Sequence, residues 1–301
     1  MTNDVEEFSI EKNRLDDETA DLVFRKGLPL LLDLYEKYNI KATFYFTGTF
    51  VEKFAHSVKL VKEKGHEIGC HGYSHDRCFD ILSLGEQIKD LKKAKNIIEN
   101  EVGEIESFRA PALRINKFTV KALEECGFKI DSSVSSQRFD GPFTSAAKEK
   151  LKWLFSNRGP YYISYHTPFK RGSSSVLEIP ISALIIGYIG TVMRIFPLAN
   201  MILRNILICE NSMTGMPLVF CFHPNEVIIE KRGARIFRRQ ANIIKYLFSD
   251  IIRSRLKLRN LGDRALYLLD KEIEVIKNKR FRFITMKEYR RYYENIHSDN
   301  G

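Results

Sequence analysis

Gly65-His66-Glu67-Ile68-Gly69-Cys70-His71-Gly72-Tyr73-Ser74-His75 is the stretch from which the rest of the chain is read. Gly65 stops the helix before it, Glu67 to Cys70 forms a short strand, and the strand delivers His71 to the turn that follows. His71 and His75 stand four residues apart beside glycines. Imidazole is the commonest protein ligand for a transition metal near neutral pH. A catalytic zinc site takes three protein ligands and leaves one position open. Two histidines supply two of the three, so a carboxylate must come from elsewhere. Taken alone, the same spacing also arises by chance on a loop or a surface helix.

Working outward, strand and helix alternate. Leu28, Leu31, Leu32 and Tyr35 share one face of a helix over about 26–38, which Asn39 can close. Lys41 to Phe46 reads as a strand. Phe50, Phe54, Val58 and Val61 predict one helix ending at Gly65. Ser83-Leu84-Gly85-Glu86 has capping-box form and opens a helix that runs to Gly103. Ile105 to Phe108 is the next strand, followed by Arg109. Asn116 caps a helix through Cys126, which Gly127 ends. Phe128 to Ile130 is a strand leading to Asp131. Residues 135–175 read as irregular, with turns at Gly141-Pro142 and Gly159-Pro160. Val176 to Ile181 and Leu218 to Phe222 are two further strands, the second ending in His223. Basic helices are expected over about 232–256 and 263–279, then a strand at Phe281 to Ile284 and a closing helix from Lys287 to Ile296.

This alternation predicts a parallel sheet with helices outside it. His71, Arg109, Asp131 and His223 all follow strands, and Asp4 and Glu6 follow whatever strand begins the chain. Only three residues precede Asp4, too few for a full first strand, so the expectation is either a chain that starts late or a very short strand. In a (β/α) barrel such strand ends share one rim, where chemistry is done. No Pro/Gly-rich linker or internal repeat divides the sequence. The expectation is one domain over 1–301, with an apolar helical insertion at about 183–215 and the basic C-terminal helices at about 232–279.

The 301 residues are 44% hydrophobic and 29% charged, ordinary for a protein with a packed core. Cys70, Cys78, Cys126, Cys209 and Cys221 are scattered and odd in number, so no disulfide framework is implied and a reducing, cytoplasmic compartment is expected. The acidic N-terminus shows no signal peptide. Ile179 to Met193 is free of charge but falls short of the ~20 apolar residues of a spanning helix. The formal net charge is +10, with a basic run at Lys231, Arg232, Arg235, Arg238 and Arg239. That run reads either as a solvated helix face or as attraction to an anionic partner. No zinc-finger spacing, helix-turn-helix or aromatic ribonucleoprotein motif points to nucleic acid.

Asn3-Asp4-Val5-Glu6, Ala42-Thr43-Phe44-Tyr45-Phe46, the 65–75 stretch, Phe108-Arg109-Ala110-Pro111, Asp131-Ser132-Ser133, Glu178-Ile179-Pro180 and Phe222-His223-Pro224 together resemble the polysaccharide deacetylase (NodB-homology) family, carbohydrate esterase family 4. The likeness is closest to its members with an Asp-x-Glu or Asp-x-Asp first motif. It implies a distorted (β/α) barrel of about seven strands with one divalent metal, usually zinc, at its mouth. It also implies hydrolysis of the N-acetyl group of an amino sugar in a glycan or glycan precursor. By the same resemblance His71 and His75 bind the metal, with Glu6 as carboxylate ligand. Asp4 is the base that takes a proton from water, and Arg109 orients Asp4. His223 protonates the leaving amine, and Asp131 favours its charged form. The Asp-Val-Glu spacing leaves open which of Asp4 and Glu6 binds metal. Two positions depart from the family pattern: Ala112 stands where an aromatic residue is common, and Cys221 stands where a leucine is.

Three other readings remain at this point. One is an allantoinase-like amidohydrolase acting on a small cyclic amide, another a carbohydrate-binding relative without catalysis, the third an anionic-polymer binder. The 183–215 segment is unusually apolar for a connection, with Arg194, Arg204 and Glu210 its only charges, and reads as helices broken at Pro197. They either pack onto the barrel as extra core or form an apolar surface beside the rim. Such a surface, with the basic run, could rest on an anionic membrane and reach a lipid-linked sugar.

Overall fold

A computed structural model describes residues 1–139, 151–230, 243 and 252–298. Its frame is a curled eight-stranded sheet. The strands are β1 (Thr2–Val5), β4 (Thr43–Phe46), β5 (Glu67–Cys70), β6 (Ser107–Phe108), β7 (Ile130–Asp131), β8 (Tyr161–Tyr162), β9 (Leu177–Glu178) and β12 (Cys221–Phe222), in the order β12-β1-β4-β5-β6-β7-β9-β8. Two small hairpins, β2 (Phe8–Ser9) with β3 (Arg14–Leu15) and β10 (Ala183–Leu184) with β11 (Ile186–Gly187), stand apart from it. Seven strands of the frame run parallel, and β8 alone is antiparallel, against β9. Among the described residues β12 and β8 do not pair, so the expected barrel is an open, curled half-barrel.

Helices α1 (Asp17–Leu22), α2 (Leu28–Lys37), α3 (Gly48–Lys53), α4 (His56–Glu63), α5 (Leu84–Val102) and α6 (Thr119–Glu125) connect the first strands. The Ser83 and Glu86 side chains close both halves of the capping box on α5. The stretch predicted as one helix around Phe50–Val61 is two, because Phe54 leaves helical geometry. There its ring packs on Phe24 and Phe50, so tertiary contact overrides local periodicity. The buried faces of these helices and the sheet form one core, in which Phe44, Phe46, Phe50 and Phe108 are fully covered.

After β11 come α7 (Gly190–Ile195) and α8 (Pro197–Thr214), which meet at Phe196-Pro197. Then follow α9 (Arg253–Lys257), α10 (Asp263–Asn278) and α11 (Met286–Ser298). Most of the basic stretch predicted over 232–256 lies outside the described residues. Two further expectations fail. Phe281–Ile284 is not a strand; just after it, Thr43 Oγ1 and Glu67 Oε2 accept the backbone N–H groups of Met286 and Lys287 at 3.0 Å each. The 135–175 region, read as irregular, contributes the antiparallel edge strand β8.

Candidate active site

The C-terminal ends of the parallel strands gather the polar side chains. Asp4 lies within β1, not after it, and Glu6 one residue beyond. His71 follows β5, Arg109 follows β6, Asp131 ends β7 and His223 follows β12. Gly72, at φ 74°, makes the turn that brings His75 back beside His71. A side chain there would be strained by φ and pressed against Pro111 and Phe79.

Glu6, His71 and His75 converge. Glu6 Oε2 lies 3.4 Å from His71 Nε2 and 3.1 Å from His75 Nε2. His71 Nδ1–H donates to the Arg109 carbonyl at 2.8 Å, which turns an Nε2 lone pair toward Glu6. Glu6 is buried, and its Oε2 has no hydrogen-bond donor. Burial opposes its charge, yet the imidazoles outweigh it and lower its pKa. Burial is also the main reason the pKa of His75 is lowered, which favours the neutral ligand form. An unpaired buried carboxylate oxygen facing two imidazole nitrogens is a donor set short of a cation, and it suits a divalent metal.

Asp4, Cys221 and His223 form a second cluster. Here a cation is already built in. Arg109 is fully buried; it donates to Asp4 Oδ1 at 2.8 Å, Thr2 Oγ1 at 3.0 Å, and the Ser132 carbonyl and hydroxyl at 2.9 and 2.8 Å. Its guanidinium also covers the Tyr45 ring at 4.4 Å. Burial works against ionising Asp4, but Arg109, His71 and His223 together hold its carboxyl at about 2. Asp4 Oδ2 faces His223 Nε2 at 3.6 Å and accepts from the Cys221 thiol at 3.5 Å.

His223 Nδ1 lies 3.0 Å from Glu226 Oε1. Burial lowers the tendency of His223 to charge, but this hydrogen bond and the charges of Asp4 and Glu226 raise it to about 9. The carboxylate on His223 is therefore Glu226, whereas the sequence reading gave that place to Asp131. Asp131 instead accepts from the Ser133 hydroxyl and lies in register with Glu178 on β9. Both are buried, and burial raises Asp131 to about 7 and Glu178 well above the usual range, so the pair shares a proton.

Glu226 is held in turn by Arg194 of α7, fully buried beside it. Gly190 opens that helix so close to the site that a Cβ would lie 2.4 Å from the Phe222 ring and 2.6 Å from Glu226 Oε1. The sequence reading missed Glu226 and Arg194. One signal was present for each: Glu226 sits three residues after His223, and Arg194 is a lone charge in an apolar run.

The open α/β half-barrel thus carries at one rim a cluster of candidate metal ligands and, beside it, an aspartate pinned by a buried arginine and facing a histidine. Residues 15–130 match the family model described as "Polysaccharide deacetylase", a span that includes His71, His75 and Arg109. The chain is 34% identical over 157 residues to a peptidoglycan deacetylase of Helicobacter pylori, covering 51% of this chain and 52% of that one. It is 34% identical over 102 residues to a peptidoglycan-N-acetylglucosamine deacetylase of Bacillus cereus, covering 34% and 47%. The chain thus spans about half the length of these curated relatives. Among solved structures, a probable polysaccharide deacetylase from Pseudomonas aeruginosa PAO1 superposes with TM-score 0.60 at 14% identity, covering 98% of this chain and 90% of that one. An allantoinase superposes with TM-score 0.61 at 15% identity, covering 98% and 89%. Those two likenesses concern the fold. Over residues 15–130 the chain is similar to the polysaccharide deacetylase family.

Proposed function

We propose that the protein is a metal-dependent hydrolase that removes N-acetyl groups from the amino sugars of a glycan or glycan precursor. The observation that supports it most is the orphaned Glu6 Oε2 facing two imidazole nitrogens, beside an aspartate pinned by a buried arginine. Glu6, His71 and His75 would hold one divalent metal, and their nitrogen and oxygen donors suit zinc. Such a metal, when bound, polarises an amide carbonyl and lowers the pKa of water.

The chain's own groups divide the proton traffic. Asp4 is ionised across the physiological range and accepts a proton at Oδ2, while Arg109 keeps Oδ1 occupied and the carboxylate oriented. His223, charged below about pH 9, gives its Nε2 proton to the departing amine, and Glu226 at Nδ1 sets the ring orientation. Products are the amino sugar and acetate. Five cysteines without a disulfide fit a reducing compartment.

Acetate release from N-acetylglucosamine oligomers tests the reading, with allantoin as control substrate. Release that a chelator abolishes and added zinc restores is expected. Turnover of allantoin alone, or acetate release indifferent to chelator, would overturn it.

A further inference from the structure

Helix α8 is apolar on both sides. Asn200, Leu203, Arg204 and Leu207 face the protein. Leu198, Met201, Ile202, Ile206, Cys209 and Met213 fall at three- and four-residue spacing on the outward side, with Asn205 and Ser212 between them and no charge. Leu198 is 66% exposed, Ile202 51% and Met213 81%. From Leu198 to Met213 this stripe is ~22 Å long at 1.5 Å per residue. The two charges of α8 point elsewhere, Arg204 to Glu272 and Glu210 to Arg158.

A surface helix ordinarily turns charged residues outward. Helix α5 does so, exposing Glu86, Lys89, Lys92 and Lys93 opposite its buried Leu91, Ala94 and Ile98. An uninterrupted apolar stripe of this length marks a contact surface.

Its neighbours are cationic. At the corner where α7 meets α8, Arg194 Nη1 donates to the carbonyls of Lys257 and Arg259 at 2.8 and 2.7 Å. Asn260 donates to the Arg194 carbonyl at 2.6 Å. This ties α9 and the residues after it to the corner, where Arg255, Arg259 and Phe196 are exposed. Apolar side chains beside surface arginines are the features by which interfacial helices adsorb to anionic lipid. A second copy fits less well, because each chain has a formal net charge of +10 and the stripe's flank would face like charge. No helix among the described residues is long and apolar enough to cross a membrane, which leaves adsorption as the mode of contact.

We propose that the outward face of α8, flanked by Arg255 and Arg259, docks on an anionic lipid bilayer. Through Arg194 and Glu226 the same helix pair reaches His223, so the docked surface lies on the element that supports the candidate site.

Flotation of the full chain tests this, using vesicles of phosphatidylcholine alone and of phosphatidylcholine with phosphatidylglycerol. The wild type should rise with anionic vesicles at low salt and stay down with neutral ones. Leu198→Glu with Ile202→Glu should abolish flotation while retaining the far-UV circular dichroism of the wild type. Arg255→Gln with Arg259→Gln should lower the apparent partition coefficient roughly thirtyfold, the loss of two surface cations. A wild type that never rises, or a Leu198→Glu/Ile202→Glu protein that rises equally, overturns the proposal. So does a wild-type dimer by light scattering that the same double variant splits, since a second copy would then cover the stripe. Flotation needs no turnover: a chain that floats without releasing acetate removes only the hydrolase reading, and one that hydrolyses without floating removes only this one.

Discussion

Glu6, His71 and His75 on one side of the site, and Asp4, Cys221 and His223 on the other, are each three potential ligands with donor atoms within 4.8 Å of one another. Ligand spacing does not tell them apart, but their surroundings do. The first cluster has an acidic oxygen and two imidazole nitrogens with no counter-cation beyond the imidazoles themselves, and Glu6 Oε2 has no hydrogen-bond donor. The second already contains the Arg109 guanidinium, hydrogen-bonded to Asp4, and a thiol whose pKa burial pushes well above its ordinary value. A further cation is welcome in the first cluster and repelled in the second. One cluster is therefore suited to holding a metal and the other to moving protons.

The sharpest way to break this contrast is to remove the imidazoles. His71→Ala and His75→Ala should each take bound metal from one per chain to near none by elemental analysis, and turnover should fall with it. Unchanged metal content in both variants would end the assignment.

Exchanging the carboxylates is the next test. Asp4→Asn should keep its metal and lose turnover by roughly 10²–10⁴-fold, the usual contribution of a positioned general base. Glu6→Gln should weaken metal affinity by more than the ~10–100-fold typical of changes outside the ligand shell. A metal-free Asp4→Asn protein beside a metal-bound Glu6→Gln protein would reverse the roles and answer which acidic residue is the ligand.

The smallest effect concerns Glu226. In metal-free protein, NMR should place the His223 titration near pH 9, and Glu226→Gln should bring it down toward the unperturbed value near 6.5. The sign for stability follows: a folded-state pKa raised above the unfolded value stabilises fully below about pH 6.5 and loses that contribution as pH rises through about 9. Denaturant midpoints of the wild type should fall across that window, and those of Glu226→Gln should change less. An unmoved titration in Glu226→Gln would return the orienting role to another carboxylate.

Much of this was legible in the order of residues. Strand–helix alternation is a periodicity of apolar side chains, and the parallel half-barrel follows from it. Ser83-Leu84-Gly85-Glu86 announced α5, because a capping box is closed by residues three apart and needs no distant partner. His71, Arg109 and His223 could be gathered at one rim because each follows a run that reads as a strand, whereas Asp4 and Glu6 joined them only through an assumed first strand, Met1-Thr2-Asn3 being no apolar run. The three lone charges of the 183–215 segment also held a message: Arg194, Arg204 and Glu210 meet Glu226, Glu272 and Arg158. A charge in an apolar run must find a partner or stay in water.

What sequence order could not decide was pairing across space. Asp131 and Glu226 are both carboxylates near strand ends: Glu226 reaches His223 locally, through the turn Pro224–Val227, whereas only the pairing of distant strands sets Asp131 against Glu178. The helix break at Phe54, the loss of a strand at Phe281–Ile284 and the open sheet edge are likewise set by which surfaces meet. Local sequence specifies period, caps and turns, because those interactions span a few residues. The partner of a buried charge and the closure of a sheet depend on contacts between distant segments, and these exist only once the chain has folded.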